Sequence, residues 1–193
     1  MKERTIILAS ASPRRRELLQ MLGIRNLVIK PARGEEEPPN CSDPEEIVRT
    51  LASAKAREIG ATAEKETLII AADTIVWLDG RMLGKPHSKE EAFSMLKSLS
   101  GKCHEVYTGV CVLCGEKEDF EAERTRVCFR ELSNDEIRAY IEDGEPMDKA
   151  GAYGAQGKGA LFIRSIEGDF FNVVGLPVCR LGEMLARKGV TIL

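Results

Sequence analysis

Histidine is scarce in this chain: His87 and His104 are the only two among 193 residues. The single C-x-x-C pair, Cys111-Val-Leu-Cys114, therefore lacks the second pair of ligands that a structural zinc site needs. In a strand-like run its odd separation also points the two thiols to opposite faces, as buried small hydrophobes rather than as a metal or redox pair. Excess positive charge is absent too. A net charge of −3 with only 5% aromatic residues argues against a nucleic-acid-binding module built on a basic face and stacking. No apolar run approaches the roughly 20 residues that cross a bilayer, and the run after Met1-Lys-Glu-Arg4 is too short for a signal sequence. A cytoplasmic protein with no membrane partner is expected. Its six cysteines are even in number, yet nothing else suggests an oxidising compartment, so reduced thiols are expected. Internal repeats, low-complexity tracts and flexible linkers are also missing.

What is present is a globular composition, 43% hydrophobic and 31% charged, long enough to bury one sizeable core as a single domain over 1–193 or as two lobes sharing a cleft. Thr5-Ile-Ile-Leu8 predicts a strand. Ser12 then reads as N-cap with Pro13 at the first helical position, Leu18, Leu19 and Leu22 as the buried face and Gly23 as the stop. After a Pro- and acid-rich loop at 31–44, Ser42-Asp-Pro-Glu45 reads as a capping box opening a helix that ends at Gly60. Residues 67–73 form an apolar strand ending in Asp73, and 75–83 a hairpin around Asp79-Gly80. A helix capped by Ser88 runs to about Leu99. Two longer strands, 105–113 and 121–129, follow, then a helix boxed by Ser133 and Glu136. The segment 145–159 is too rich in glycine for a regular element. Leu161-Phe-Ile-Arg164 reads as a strand, 172–177 as a turn and 178–188 as a final helix. The ordering is α/β.

Four places can supply a polyphosphate site. Ser12-Pro-Arg14-Arg15-Arg16 puts three cations at a helix start, where the backbone dipole is already positive. Either they splay into water, or Ser10, Ser12, Arg14 and Arg15 converge with backbone N–H groups on a phosphate. Lys55 borders the buried stripe of the second helix, as a snorkelling stem or a phosphate ligand. Asp73, at a strand end, is a turn acceptor or else a metal ligand and base. Lys85 stands in Gly84-Lys85-Pro86, which lacks the Walker A spacing. A second acid–base pair, Asp148-Lys149, precedes Gly151, Gly154, Gly157 and Gly159, whose spacing is not a dinucleotide fingerprint.

Ala9-Ser-Ala-Ser-Pro-Arg-Arg-Arg-Glu-Leu-Leu19, Leu51-Ala-x-x-Lys-Ala56, Ala72-Asp-Thr74, Gly84-Lys-Pro86, Tyr107-Thr-Gly-Val110, Glu145-Pro-x-Asp-Lys-Ala-Gly-Ala-Tyr-Gly-x-Gln-Gly157 and Asn172-Val-Val-Gly-Leu-Pro177 together resemble the Maf family of nucleoside triphosphate pyrophosphatases. The resemblance covers nearly the whole chain. It implies an ITPase-like α/β fold, a central mixed elongated sheet flanked by helices with two lobes around a substrate cleft. It also implies a homodimer, and hydrolysis of a nucleoside triphosphate to monophosphate and pyrophosphate with Mg²⁺ or Mn²⁺. Within the family the chain is similar to the branch acting on dTTP and UTP. That resemblance makes Asp73 the proton acceptor and Arg14, Thr74 and Gln156 the positions of base choice. Ser10, Arg15, Lys55 and Lys85 become phosphate ligands, with Asp148 and Lys149 elsewhere in the cleft. In the acidic loop this chain has Gly34-Glu35 where the family often has Asp-Glu, so the metal ligands implied are Asp73 and either Glu35 or Glu36. The alternative is a nucleotide-binding regulator of septum formation with little catalysis.

Overall fold

The computed structural model describes residues 4–24, 26–34 and 38–193. The chain divides into two compact units, Met1–Asp73 with Thr108–Glu123 and Gly175–Leu193, and Thr74–Tyr107 with Arg124–Val174. In the first, β1 (Ile6–Leu8) pairs in parallel with β2 (Leu27–Ile29) and with the start of β3 (Leu68–Leu78), Ile6 opposite Leu68 and Leu8 opposite Ile70. The residues of β1 and residues 68–72 of β3 are buried, as parallel strands covered on both faces require. α1 (Pro13–Met21) starts where expected, Ser12 Oγ accepting the Arg15 N–H, and Gly23 at φ +67° follows its end. α2 (Pro44–Gly60) is capped by Asp43 rather than by Ser42: the Asp43 carboxylate accepts the Glu45 N–H at 3.0 Å. Pro44 takes the first helical position, where its missing N–H costs nothing. Ala52, Ala56 and Ile59 of α2 pack on Ile7, Ala9, Ile69, Ala71, Cys111 and Leu113. α6 (Val178–Arg187) buries Leu181, Met184 and Leu185.

Two long strands, β5 (Cys103–Cys114) and β6 (Lys117–Phe129), form a hairpin through Gly115 at φ +58°. On β5, a Cβ at Gly109 would lie 2.7 Å from the Val48 carbonyl of α2 and 2.9 Å from the Phe120 ring. Only glycine lets the helix backbone come so close to the strand.

In the second unit, β3 continues and pairs antiparallel with β4 (Arg81–Leu83). The turn is the expected Asp79-Gly80, both at positive φ (+50° and +78°), the type I′ geometry that matches strand twist. α3 (Lys89–Leu99) is capped by Ser88. The Glu91 carboxylate accepts the His87 N–H at 2.7 Å rather than the Ser88 N–H that a complete capping box would use. α4 (Asn134–Glu142) has its capping box complete. Three 3₁₀ turns follow, Glu145–Asp148, Ala150–Ala152 and Lys158–Phe162, then β7 (Ile163–Glu167) and α5 (Phe170–Val174). The strand expected from Leu161 thus begins two residues later. Asn172, expected in a turn, lies in the short helix α5, where its Nδ2 donates to the Val106 carbonyl and to Thr125 Oγ1. Strand order is β2-β1-β3-β5-β6-β7 with β4 on β3, a mixed sheet flanked by helices, and β3, β5 and β6 each run through both units.

Cysteine pairing departs from expectation. Cys103 and Cys128, 25 residues apart, form a disulfide with 3.9 Å between their Cα atoms. The β5–β6 hairpin brings them together in a register that composition does not disclose. Cys41, Cys111, Cys114 and Cys179 are free thiols.

Next to Cys103 the chain buries His104. Its Nε2 meets the Tyr153 hydroxyl at 2.7 Å, and its ring packs edge-on to Phe129 and Tyr153. Burial raises the Tyr153 pKa, so the phenol keeps its proton. Desolvation lowers the His104 pKa from 6.5 to about 4. The imidazole is therefore neutral when folded, and its contribution to stability is full above the unfolded value and lost as pH falls toward about 4. Chemical denaturation from pH 7.5 down to pH 4 should show wild type losing roughly 2–4 kcal/mol more than His104→Gln. At Gly109, substitution by Ala should cost roughly 1–3 kcal/mol by overpacking against α2, read as a lower urea midpoint at unchanged slope.

Candidate active site

The three arginines that open α1 meet three different surroundings. Arg16 is exposed, Arg14 half-buried and Arg15 buried at 9% exposure. Arg15 Nη1 donates to the Ala72 carbonyl at 2.7 Å and to Ser10 Oγ at 3.1 Å, while its Nε donates to the Gly175 carbonyl at 2.7 Å. Desolvation lowers its pKa, the Asp73 carboxylate opposes that shift and Arg14 adds to it, but a guanidinium remains charged throughout the working pH range. Ser10 Oγ also accepts the Ser12 N–H at 3.2 Å. Ser10 and Arg15, two of the four residues expected to bind phosphate, are thus bonded to one another, and together they shape the turn between β1 and α1.

Asp73 is not at the end of a strand as expected. β3 continues through it because Thr74, Ile75, Val76 and Trp77 favour extended backbone. β1 pairs with β3 only as far as Ile70, the Ala9 N–H adding a last bond to the Ile70 carbonyl at 2.8 Å, and pairing with β4 starts at Val76. Asp73 falls in the interval. Its Oδ1 makes a close ion pair with Lys55 Nζ from α2, with 24% of the Lys55 side chain and 19% of the Asp73 side chain exposed. The first unit therefore brings together Ser10, Arg15, Lys55 and Asp73: a mostly buried carboxylate paired with a lysine and within electrostatic reach of a buried guanidinium. Such an arrangement can bind an anion and orient a water for attack on it.

Thr74, Lys85, Asp148, Lys149 and Gln156 belong to the second unit. Thr74 is half-buried and follows Asp73 on β3. Lys85 is exposed in the loop after β4, which is tied to the 3₁₀ segment by the Gly151 N–H donating to the Gly84 carbonyl at 2.9 Å. Gly151 and Ala152 both have positive φ, +66° and +60°, and a Cβ at 151 would stand 2.9 Å from the Val76 side chain. Lys149 Nζ donates to Asp148 Oδ1 and to the Glu145 carbonyl, each at 2.6 Å, so the expected acid–base pair is an internal pair of this loop. Gln156 is exposed on the turn that follows.

Glu35 and Glu36 lie outside the described residues. Just before them, the Glu58 carboxylate accepts the N–H groups of Arg33 at 2.7 Å and Gly34 at 3.0 Å, bonds that hold it below the usual carboxylate range. Neither Glu58 nor Glu145 was singled out by the sequence. Glu58 sits on the exposed face of an amphipathic helix, where acids are commonplace, and Glu145 carried a signal only as the first residue of its motif block. Cys111 is buried and its thiol is pushed up to about 12 by desolvation, while Cys114 lies half-buried. No group of three His, Cys, Asp or Glu side chains arranged to hold a metal occurs among the described residues.

Replacing Arg15 by Ala removes a buried cation together with its bonds to two carbonyls. Urea unfolding should show a loss of roughly 3–5 kcal/mol. Arg16→Ala, at an exposed position, should stay within about 0.5 kcal/mol of wild type.

Residues 5–188 match the family model described as Maf-like protein. A protein of Pelotomaculum thermopropionicum named dTTP/UTP pyrophosphatase is 49% identical over 195 aligned residues, covering 100% of both chains. Proteins of the same name from Moorella thermoacetica and Thermococcus kodakarensis are 50% and 53% identical, covering 97% and 90% of this chain and 96% and 91% of their own. A solved structure of a Mycobacterium abscessus nucleoside-triphosphatase, dITP/XTP pyrophosphatase, aligns with a TM-score of 0.45 and 14% identity over 95% of this chain and 98% of its own, a likeness too slight to argue from. With a matching model over most of its length and full-length relatives near half identity, the chain belongs to the Maf family.

Proposed function

We propose that the protein hydrolyses dTTP and UTP to the monophosphate and pyrophosphate. What carries this reading is the Asp73–Lys55 ion pair beside buried Arg15, in a chain about half identical over its whole length to proteins named dTTP/UTP pyrophosphatase. Asp73 orients a water toward the α-phosphorus and takes its proton. The water oxygen bonds to phosphorus, the bond to the bridging oxygen breaks, and pyrophosphate departs with the electron pair. Lys55 fixes the Asp73 carboxylate and, with Lys85, opposes the charge of the triphosphate. Arg15 contributes its field from beneath the turn and holds Ser10 in place. Arg14, Thr74 and Gln156 select the base, the Gln156 amide offering a donor and an acceptor to the N3–H and carbonyl edge of thymine or uracil.

The donors suit a hard divalent cation, because Mg²⁺ is ordinarily held by one or two carboxylates together with substrate phosphates rather than by an all-protein cage. Asp73, with Glu35 or Glu36 from the acidic loop, would hold it. When bound, Mg²⁺ or Mn²⁺ supplies positive charge against the phosphate oxygens. The expected species is a cytoplasmic homodimer that works without nucleic acid or membrane; no described helix is long and apolar enough to cross a bilayer.

A panel of triphosphates with Mg²⁺ or Mn²⁺, read by pyrophosphate release, tests the proposal. dTTP and UTP should be turned over best and chelation should stop turnover. Asp73→Asn should lose at least about 100-fold in rate while its far-UV circular dichroism shows the fold retained. Retained turnover in that variant would refute the base assignment, and equal turnover of all triphosphates the base selection.

A further inference from the structure

Glu145, outside the set of residues assigned above, is the polar hub of the glycine-rich segment. Its Oε1 accepts the Tyr140 hydroxyl at 2.9 Å and the Gly159 N–H at 3.3 Å, and its Oε2 accepts the Lys158 N–H at 2.9 Å. Tyr140 Oη in turn accepts the Gly154 N–H at 3.2 Å. Residues 154–159 are thus pinned at both ends to one phenol–carboxylate pair, Gly154 to Tyr140 and Lys158 with Gly159 to Glu145, and Gln156 lies between the pins.

The glycines fit this pair closely. A Cβ at 157 would fall 2.3–2.6 Å from the Glu145 carboxylate, and one at 159 would fall 2.7 Å from Tyr140 Oη and 2.6 Å from the Gly154 carbonyl. One at 154 would meet Lys149 Cε at 2.8 Å. Their lack of side chains lets the loop close on the buried Tyr140 and the half-buried Glu145. Burial and the Glu145 carboxylate raise the Tyr140 pKa, so the phenol donates and the carboxylate only accepts. A glutamine in place of Glu145 would turn at least one N–H against another donor.

We infer that Glu145 is a positioning residue for Gln156, fixing the backbone on which base recognition depends while taking no part in phosphorus chemistry. The inference rests on the reading that Gln156 contacts the base. In the full-length protein with Mg²⁺, Glu145→Gln should raise KM for dTTP about tenfold or more with kcat changed less than about threefold, and should lower the preference for dTTP over dCTP toward that of Gln156→Ala. The double variant Glu145→Gln/Gln156→Ala should be no worse than Gln156→Ala alone, because both remove one interaction. Tyr140→Phe, which frees the Gly154 end and keeps the ring, should repeat the KM effect and stands in if Glu145→Gln does not fold. A fall in kcat at constant KM and selectivity, or losses that add in the double variant, would overturn the inference. If Gln156→Ala alone changes neither KM nor selectivity, the reading of Gln156 fails instead.

Discussion

A buried guanidinium holds the first unit in register. Arg15 joins the start of α1 to the Ala72 carbonyl on β3 and to the Gly175 carbonyl ahead of α6, contacts that span 57 and 160 residues of sequence, and it bonds Ser10 in the adjoining turn. Burying a charge is costly unless its donors are satisfied, and two carbonyls, a hydroxyl and the nearby Asp73 carboxylate supply that satisfaction. The placements of Ser10 and of the residue preceding Asp73 follow from the same side chain. A cation at a helix start, contrary to the dipole, is therefore tolerated because its role is to collect carbonyl oxygens from other segments.

Much of this was readable along the chain wherever local chemistry decided the outcome. Ser12-Pro13, Ser88, Ser133 and Asp79-Gly80 act as caps and turn much as their side chains dictate, since each satisfies nearby backbone groups. What stayed hidden depended on partners distant in sequence. The carboxylate of Asp73 suggested a strand end, whereas the β-branched residues after it carry β3 onward to meet β4. Cys103 and Cys128 looked like unrelated thiols until hairpin register set them opposite each other. Arg15 resembled its neighbours in sequence, and only the carbonyls of Ala72 and Gly175 distinguish it. Of the candidate site, Lys55 with Asp73 and Ser10 with Arg15 are seen in contact, while the acidic loop with Glu35 and Glu36 lies outside the described residues.

Glycine serves two different physical ends here. At 23, 80 and 115 it supplies the left-handed backbone that ends a helix or closes a hairpin. At 109, 157 and 159 it supplies absence of volume, letting a helix carbonyl, a carboxylate and a phenol occupy space a methyl group would fill. The second use couples a motif to a partner outside it: Tyr107-Thr-Gly-Val110 is small at Gly109 because of Val48, and the 154–159 loop is small because of Tyr140 and Glu145.

Because the first unit is assembled from three separated stretches of chain, its completion depends on the order of synthesis. Residues 74–107 and 124–174 leave the ribosome before Gly175 does, so the second unit has all of its parts while Arg15 still lacks an acceptor 160 residues downstream. Until Gly175 arrives, the Arg15 guanidinium lacks one of its two carbonyl acceptors. The Arg15–Gly175 bond therefore closes a loop of 160 residues, a long-range contact that rewards folding only after the local elements around it have formed.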